Sequence, residues 1–206
     1  MKKVALVAFV VCMVAGFAQA NLIINGDFSL DDGIDPTVAL GWNVFHSGGW
    51  ANRETSGSFP DPNDYHMAIG NAGGYGAFIW QDVAVADDGS TYTLSADAML
   101  DPWWLNSLYI KLEFYDAGEN LLGELESPHF SQPDYDVGLP LANYSVSGVA
   151  PAGTEIVRSM LGTYGEGGTA RFDNAVLVPE PGSVGLLLLG SAVLVGHRAR
   201  RRRALA

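Results

Sequence analysis

Thr91-Tyr92-Thr93-Leu94-Ser95-Ala96-Asp97-Ala98-Met99-Leu100 alternates apolar and polar residues over ten positions. A period of two puts every second side chain on one face of an extended chain, so the stretch predicts a half-buried β-strand. The pattern repeats after a break at Asp101-Pro102. Leu108, Ile110, Leu112 and Phe114 alternate with Tyr109, Lys111, Glu113 and Tyr115. Upstream, Ala77 to Val85 reads the same way, with Ile79, Val83 and Val85 sharing a face with Gln81. Further strands are expected at Asn21–Ser29, Trp42–His46, Tyr65–Ile69, Leu121–Leu125, Ala142–Val149, Glu155–Leu161 and Thr169–Val178, separated by turns rich in Gly, Asp, Asn and Pro. Between residues 21 and 177 no apolar period of 3.6 is sustained, so little helix is expected. Short strands at this spacing indicate an all-β sandwich or barrel.

The two ends of the chain differ from this core. Lys2 and Lys3 precede an apolar run from Val4 to Phe17, and Ala18-Gln19-Ala20 has the small-x-small form of a signal-peptidase site. Residues 1–20 are therefore expected to be a secretory signal peptide cleaved between Ala20 and Asn21. The only cysteine, Cys12, lies inside that apolar run, which leaves the mature protein without a thiol or disulfide. Residues 178–206 open on Pro179-Glu180-Pro181, continue through an uncharged apolar run from Ser183 to Gly196, and close on Arg198 and Arg200–Arg203. The two prolines should end the folded domain. The apolar run suits a short transmembrane helix with its arginines held on the cytoplasmic side. On the residues alone, the tail is either a sorting signal or a membrane anchor with a basic flank.

Between these ends, residues 21–177 carry four bases, Arg53, Lys111, Arg158 and Arg171, against 22 of the chain's 23 acids. A net charge of −18 repels nucleic acid and anionic lipid. No Gly-x-Ser-x-Gly elbow, His-Glu-x-x-His helix or phosphate-cradling glycine loop occurs. His46, His66 and His129 are dispersed, and nothing selects one pair of carboxylates as a glycosidase pair. The domain is therefore expected not to be an enzyme. Aromatic residues in apparent loops, Trp50, Tyr75, Trp103 and Trp104, are the candidates for stacking on the apolar faces of sugars.

Two resemblances sharpen this reading. The order Pro179-Glu180-Pro181, apolar helix, arginine cluster resembles the PEP-CTERM sorting signal of Gram-negative bacteria. That resemblance implies an exosortase-type transpeptidase that removes the tail at the inner membrane, and cargo delivered to the cell surface or extracellular matrix. Both termini would then be absent from the mature protein. The opening Asn21-Leu22-Ile23-Ile24-Asn25-Gly26-Asp27-Phe28 and the closing Ala170-Arg171-Phe172-Asp173-Asn174-Ala175-Val176-Leu177 resemble the first and last strands of galactose-binding-domain-like jelly rolls, a fold shared by many carbohydrate-binding modules. A jelly-roll β-sandwich over 21–177 is the fold this implies. It also implies a structural Ca²⁺ where the first and last strands meet, at Ser29 and Asp173. Ser29 stands where an acid is usual, and Asp27 or Asp31 would have to compensate. The function expected is a non-enzymatic surface or matrix protein that binds polysaccharide. A purely structural acidic matrix component is the alternative, and a hydrolase with a cryptic carboxylate pair is a third.

Overall fold

The computed structural model describes residues 20–55, 59, 63–72, 76–85, 89–102, 106–132, 134, 136–165 and 167–180. The strands are β1 (Asn43–His46), β2 (Trp50–Glu54), β3 (His66–Ala72), β4 (Ala77–Ala84), β5 (Thr91–Leu100), β6 (Asn106–Tyr115), β7 (Leu121–Glu126), β8 (Phe130–Ser131), β9 (Leu139–Val149), β10 (Ile156–Gly165) and β11 (Gly167–Pro179). They form two sheets. One has the order β1-β4-β10-β6-β7, with β8 also paired to β6; the other has the order β2-β3-β11-β5-β9. The chain passes repeatedly from one sheet to the other, and the pairs within each are antiparallel. The result is a jelly-roll sandwich, and no helix occurs among the described residues.

The alternation read from sequence decides which side chains face the other sheet. In β5, Tyr92, Leu94, Ala96, Ala98 and Leu100 are buried. In the six-stranded sheet Ile79, Leu108, Ile110, Leu112, Phe114, Val157 and Leu161 point inwards, where they meet Met67, Ile69 and Phe172. Burying large apolar side chains of this kind contributes about 1.5–3 kcal/mol each before entropy is counted.

Three expectations need correcting. Asn21–Ser29 is not a strand: Asn25 (φ 53°) and Phe28 (φ 51°) adopt left-handed backbone that breaks an extended run. The segment is instead held to β11 by Leu22 N donating to Leu177 O and by the Asn21 side chain, which accepts from Leu177 N and donates to Ala175 O. Second, Trp50 is not in a loop but opens β2, paired with Gly70 of β3. Third, β8 forms between the expected strands Leu121–Leu125 and Ala142–Val149, where none was expected, and β9 and β10 are longer than expected.

Asn21–Val178 form one compact unit. Of the other, Met1–Ala20 with Pro179–Ala206, only Ala20, Pro179 and Glu180 are described. The expected signal peptide, Pro181, the apolar segment and the arginine block lie outside the described residues.

Candidate functional site: an aromatic face on the outer side of the six-stranded sheet

Because Ile79 and Gln81 of β4 face inwards, Phe78, Trp80 and Asp82 must face out. The register carries this outward row across the sheet: Phe45 of β1 lies beside Phe78, Phe78 beside Gly162 of β10, and Gly162 beside Tyr109 of β6. Phe45 and Phe78 stack at 4.9 Å, and Trp80 sits tilted against Phe78 at 5.7 Å. Gly162 is needed here, since a Cβ at that position would fall 2.3 Å from the Tyr109 ring. Tyr109 therefore lies down over the β10 backbone, and His129 stacks on it at 5.2 Å. Tyr164 approaches His129 edge-on at 6.1 Å. Burial pushes the Tyr109 phenol up to about 12, with Glu126 adding to the effect. Phe45 at the β1 end of the row and Tyr164 on β10, two residues beyond Gly162, are 47% and 53% exposed, so both offer ring surface to a ligand.

Beside the rings runs a ladder of paired charges. Arg158 grips Asp82 with two hydrogen bonds of 2.7 and 2.9 Å and lies between the rings of Trp80 and Tyr115, at 5.5 and 4.8 Å. Lys111 bonds Glu113 at 2.8 Å and Glu124 at 2.7 Å, and Tyr115 donates to Glu113. Burial works against the Lys111 charge, but the bonds to Glu113 and Glu124 outweigh it and hold the ammonium above its usual range. Glu126 contacts His129 Nε2 at 2.9 Å. All four carboxylates on this face thus have a partner.

Those residues singled out from sequence that the structure describes are placed elsewhere. Trp50, 39% exposed, lies over Gly70 on the other sheet, where a Cβ would fall 2.1 Å from the indole. Tyr75, Trp103 and Trp104 lie outside the described residues. Of the calcium set, Asp173 is buried, while Ser29 gives its hydroxyl to Asp27 Oδ1 at 3.1 Å and its carbonyl to Arg53. Arg53 also takes the carbonyls of Phe28 and Pro36, and its guanidinium stacks on Tyr65 at 3.5 Å. The backbone oxygens of Phe28, Ser29 and Pro36 are therefore held by a resident guanidinium. Among the described residues no group of three or more His, Cys, Asp or Glu side chains is arranged to hold a metal ion.

Sequence reasoning missed Phe45, Phe78, Trp80, Tyr109, His129 and Tyr164. The signal available was the parity of β4: once Ile79 and Gln81 are inward, two neighbouring aromatics are outward.

Residues 177–203 match the family model described as the PEP-CTERM protein-sorting motif. No curated protein matches the chain. Among solved structures, a family 16 carbohydrate-binding module is similar over 77% of this chain and 99% of its own, at 17% identity and a TM-score of 0.51. A putative sugar binding protein from Bacteroides thetaiotaomicron VPI-5482 is similar over 78% of this chain and all of its own, at 13% identity and a TM-score of 0.54. The enzymatically active domain of bacteriophage CBA120 tailspike protein 4 gives a TM-score of 0.57 at 13% identity over 78% of this chain, which spans only 21% of that one. The chain thus carries a PEP-CTERM protein-sorting motif at residues 177–203, and its core has a jelly-roll sandwich fold similar to that of a family 16 carbohydrate-binding module.

Proposed function

We propose that this is an exported, non-enzymatic protein that binds a polysaccharide along the outer face of its six-stranded sheet and acts at the cell surface or in the extracellular matrix. The observation that carries the reading is the aromatic row from Phe45 through Phe78 to Tyr109, which crosses four adjacent strands, with Tyr164 of β10 beside it and exposed ring surface at Phe45 and Tyr164. Sugar rings have apolar faces that stack on aromatic surfaces, and a row of rings accommodates successive residues of a chain. The fold likeness and the sorting motif support this reading. Binding rather than hydrolysis is supported by the paired state of Asp82, Glu113, Glu124 and Glu126, since a glycosidase needs carboxyl groups directed at the scissile bond. During export the partners are signal peptidase and an exosortase-type transpeptidase, with the inner membrane as a transient station.

Affinity electrophoresis of the mature exported protein in gels containing the producing cell's exopolysaccharide, or neutral glucans and xylans, tests this. Wild type should be retarded, and Trp80→Ala or Phe45→Ala should be retarded severalfold less, since aromatic contacts contribute about 0.5–1.5 kcal/mol beyond burial. Both variants should melt near wild type because their rings lie outside the inter-sheet core. Absence of retardation in every gel would favour the structural matrix role instead.

A further inference from the structure

At the Gly165 end of the aromatic row the surface falls into a hollow of about 280 Å³ lined by Asn106, Ser107, Ser131, Gln132, Tyr164 and Gly165. We infer that this hollow is an end subsite that holds one uncharged sugar residue through the side-chain amides of Gln132 and Asn106; the inference rests on the glycan reading above. The hollow is continuous with the aromatic row. Tyr164 belongs to both, and Ser107 Oγ, which donates to Tyr164 O at 3.0 Å, lies 3.3 Å from Nδ1 of His129.

Its polar groups are unfinished. Asn106 is only 5% exposed, and its Oδ1 accepts from Thr163 Oγ1 at 2.6 Å and from Ser107 N at 2.8 Å. The carboxamide is thereby fixed in place, yet its Nδ2 is buried without a hydrogen-bond partner. Both Nε2 and Oε1 of Gln132 are buried and unpartnered too. Buried polar groups in folded proteins are nearly always bonded, so three such atoms on two of the residues that line one hollow mark the contacts a ligand would make.

The kind of ligand follows from what is missing. Two amide N–H groups and one amide oxygen require a partner that both accepts and donates. Hydroxyl groups do this, as does an acetamido group, with its N–H and C=O. A carboxylate only accepts: it would face Gln132 Oε1 unfavourably, and none of the six lining residues is a cation to offset its charge. The −18 net charge over 21–177 opposes an anionic chain as well. The subsite therefore selects a neutral hexose or an N-acetylated sugar and rejects a uronate.

The test is affinity electrophoresis of the mature protein in gels of a neutral glucan, glycol chitin and alginate, with wild type, Gln132→Ala, Gln132→Glu and Trp80→Ala. Wild type should be retarded by the glucan or glycol chitin and not by alginate. Gln132→Ala should raise Kd about tenfold, the loss of two ligand hydrogen bonds. Gln132→Glu, which keeps the shape and loses the donor, should do the same. Both should keep the wild-type melting temperature, because Gln132 makes no protein bond through its amide. Retardation that Trp80→Ala weakens and both Gln132 variants leave unchanged would overturn the subsite while leaving the sheet face as the glycan site. Preferential binding to alginate would overturn the neutral-ligand inference. Retardation in none of the gels would overturn the glycan reading and the subsite with it.

Discussion

Arg171→Met should lower the unfolding free energy by roughly 1–3 kcal/mol, because the guanidinium is buried while the carboxylates it leaves behind, Glu54 and Asp101, keep 32% and 21% of their side-chain surface exposed. Arg171 is 7% exposed and lies on the outer face of the five-stranded sheet. It donates to both oxygens of Asp101 at 2.9–3.2 Å, to Glu54, and to Nε2 of His66 at 2.9 Å. One guanidinium thus ties β2, β3 and β11 to the residue that follows β5. His66 is fully buried under the Phe59 ring at 4.6 Å, and burial followed by the Arg171 charge keeps its imidazole below the usual range. With Arg171 removed, Glu54 and Asp101 lose their cation and are rewetted only through the part of each that is already exposed. A loss of this size is a large share of the 5–15 kcal/mol typical of a domain. Urea unfolding followed by tryptophan fluorescence measures it. Arg171→Lys should fall between, because an ammonium keeps the charge but cannot form the fork on Asp101. A change below about 1 kcal/mol for Arg171→Met would show the network to be dispensable.

The second large effect is a pH dependence set by Asp173. Burial, with Asp64, Asp27 and Asp97 nearby, raises its carboxyl to about 7, against the bonds from Asn174 N at 2.6 Å and Asn174 Nδ2 at 3.3 Å that favour the charge. In the unfolded chain the same carboxyl titrates near 3.8. The folded state therefore binds more protons between these values. The stabilisation is fully present below about pH 3.8 and is lost as pH rises through about 7, at roughly 1.4 kcal/mol per unit. Asp173→Asn keeps an acceptor for Asn174 N and removes the charge. Its stability relative to wild type should rise by a few kcal/mol between pH 4.5 and pH 8, measured by denaturant titration at each pH. A constant difference across that range would show that Asp173 ionises in the fold without cost. Added Ca²⁺ is a second arm of the same titration. Stabilisation at pH 8 that vanishes in Asp173→Asn would place a cation against this carboxylate, despite the engagement of the surrounding carbonyls by Arg53.

The sandwich was legible because β5 and β6 announce their buried face by strict alternation, and because Gly- and Asp-rich turns separate the runs. Two kinds of element were not legible. β2 hides in a polar segment, Trp50-Ala51-Asn52-Arg53-Glu54, whose strand state comes from pairing with β3 and not from its own composition. Asn21–Ser29 looks like a strand by its β-branched residues but is turned by Asn25 and Phe28. The candidate site was less legible still. Reasoning that strands spend their inward residues on the core led to loop tryptophans, and it neglected the outward residues of the same strands. That Phe45, Phe78, Gly162 and Tyr109 lie in one row depends on a register linking residues more than a hundred positions apart, which no local pattern contains. Arg53 shows the same limit: its bonds to Phe28, Ser29 and Pro36 are non-local, so no local motif contains them.

The most direct measurement of the central claim is an aromatic ¹³C–¹H NMR titration of the mature protein with soluble fragments of a polysaccharide that retards it. Resonances of Phe45, Phe78, Trp80 and Tyr164 should shift with a common Kd while those of the buried Phe114 and Phe172 stay fixed. Shifts confined to Trp50, Trp103 and Trp104, with the sheet-face rings unmoved, would contradict it.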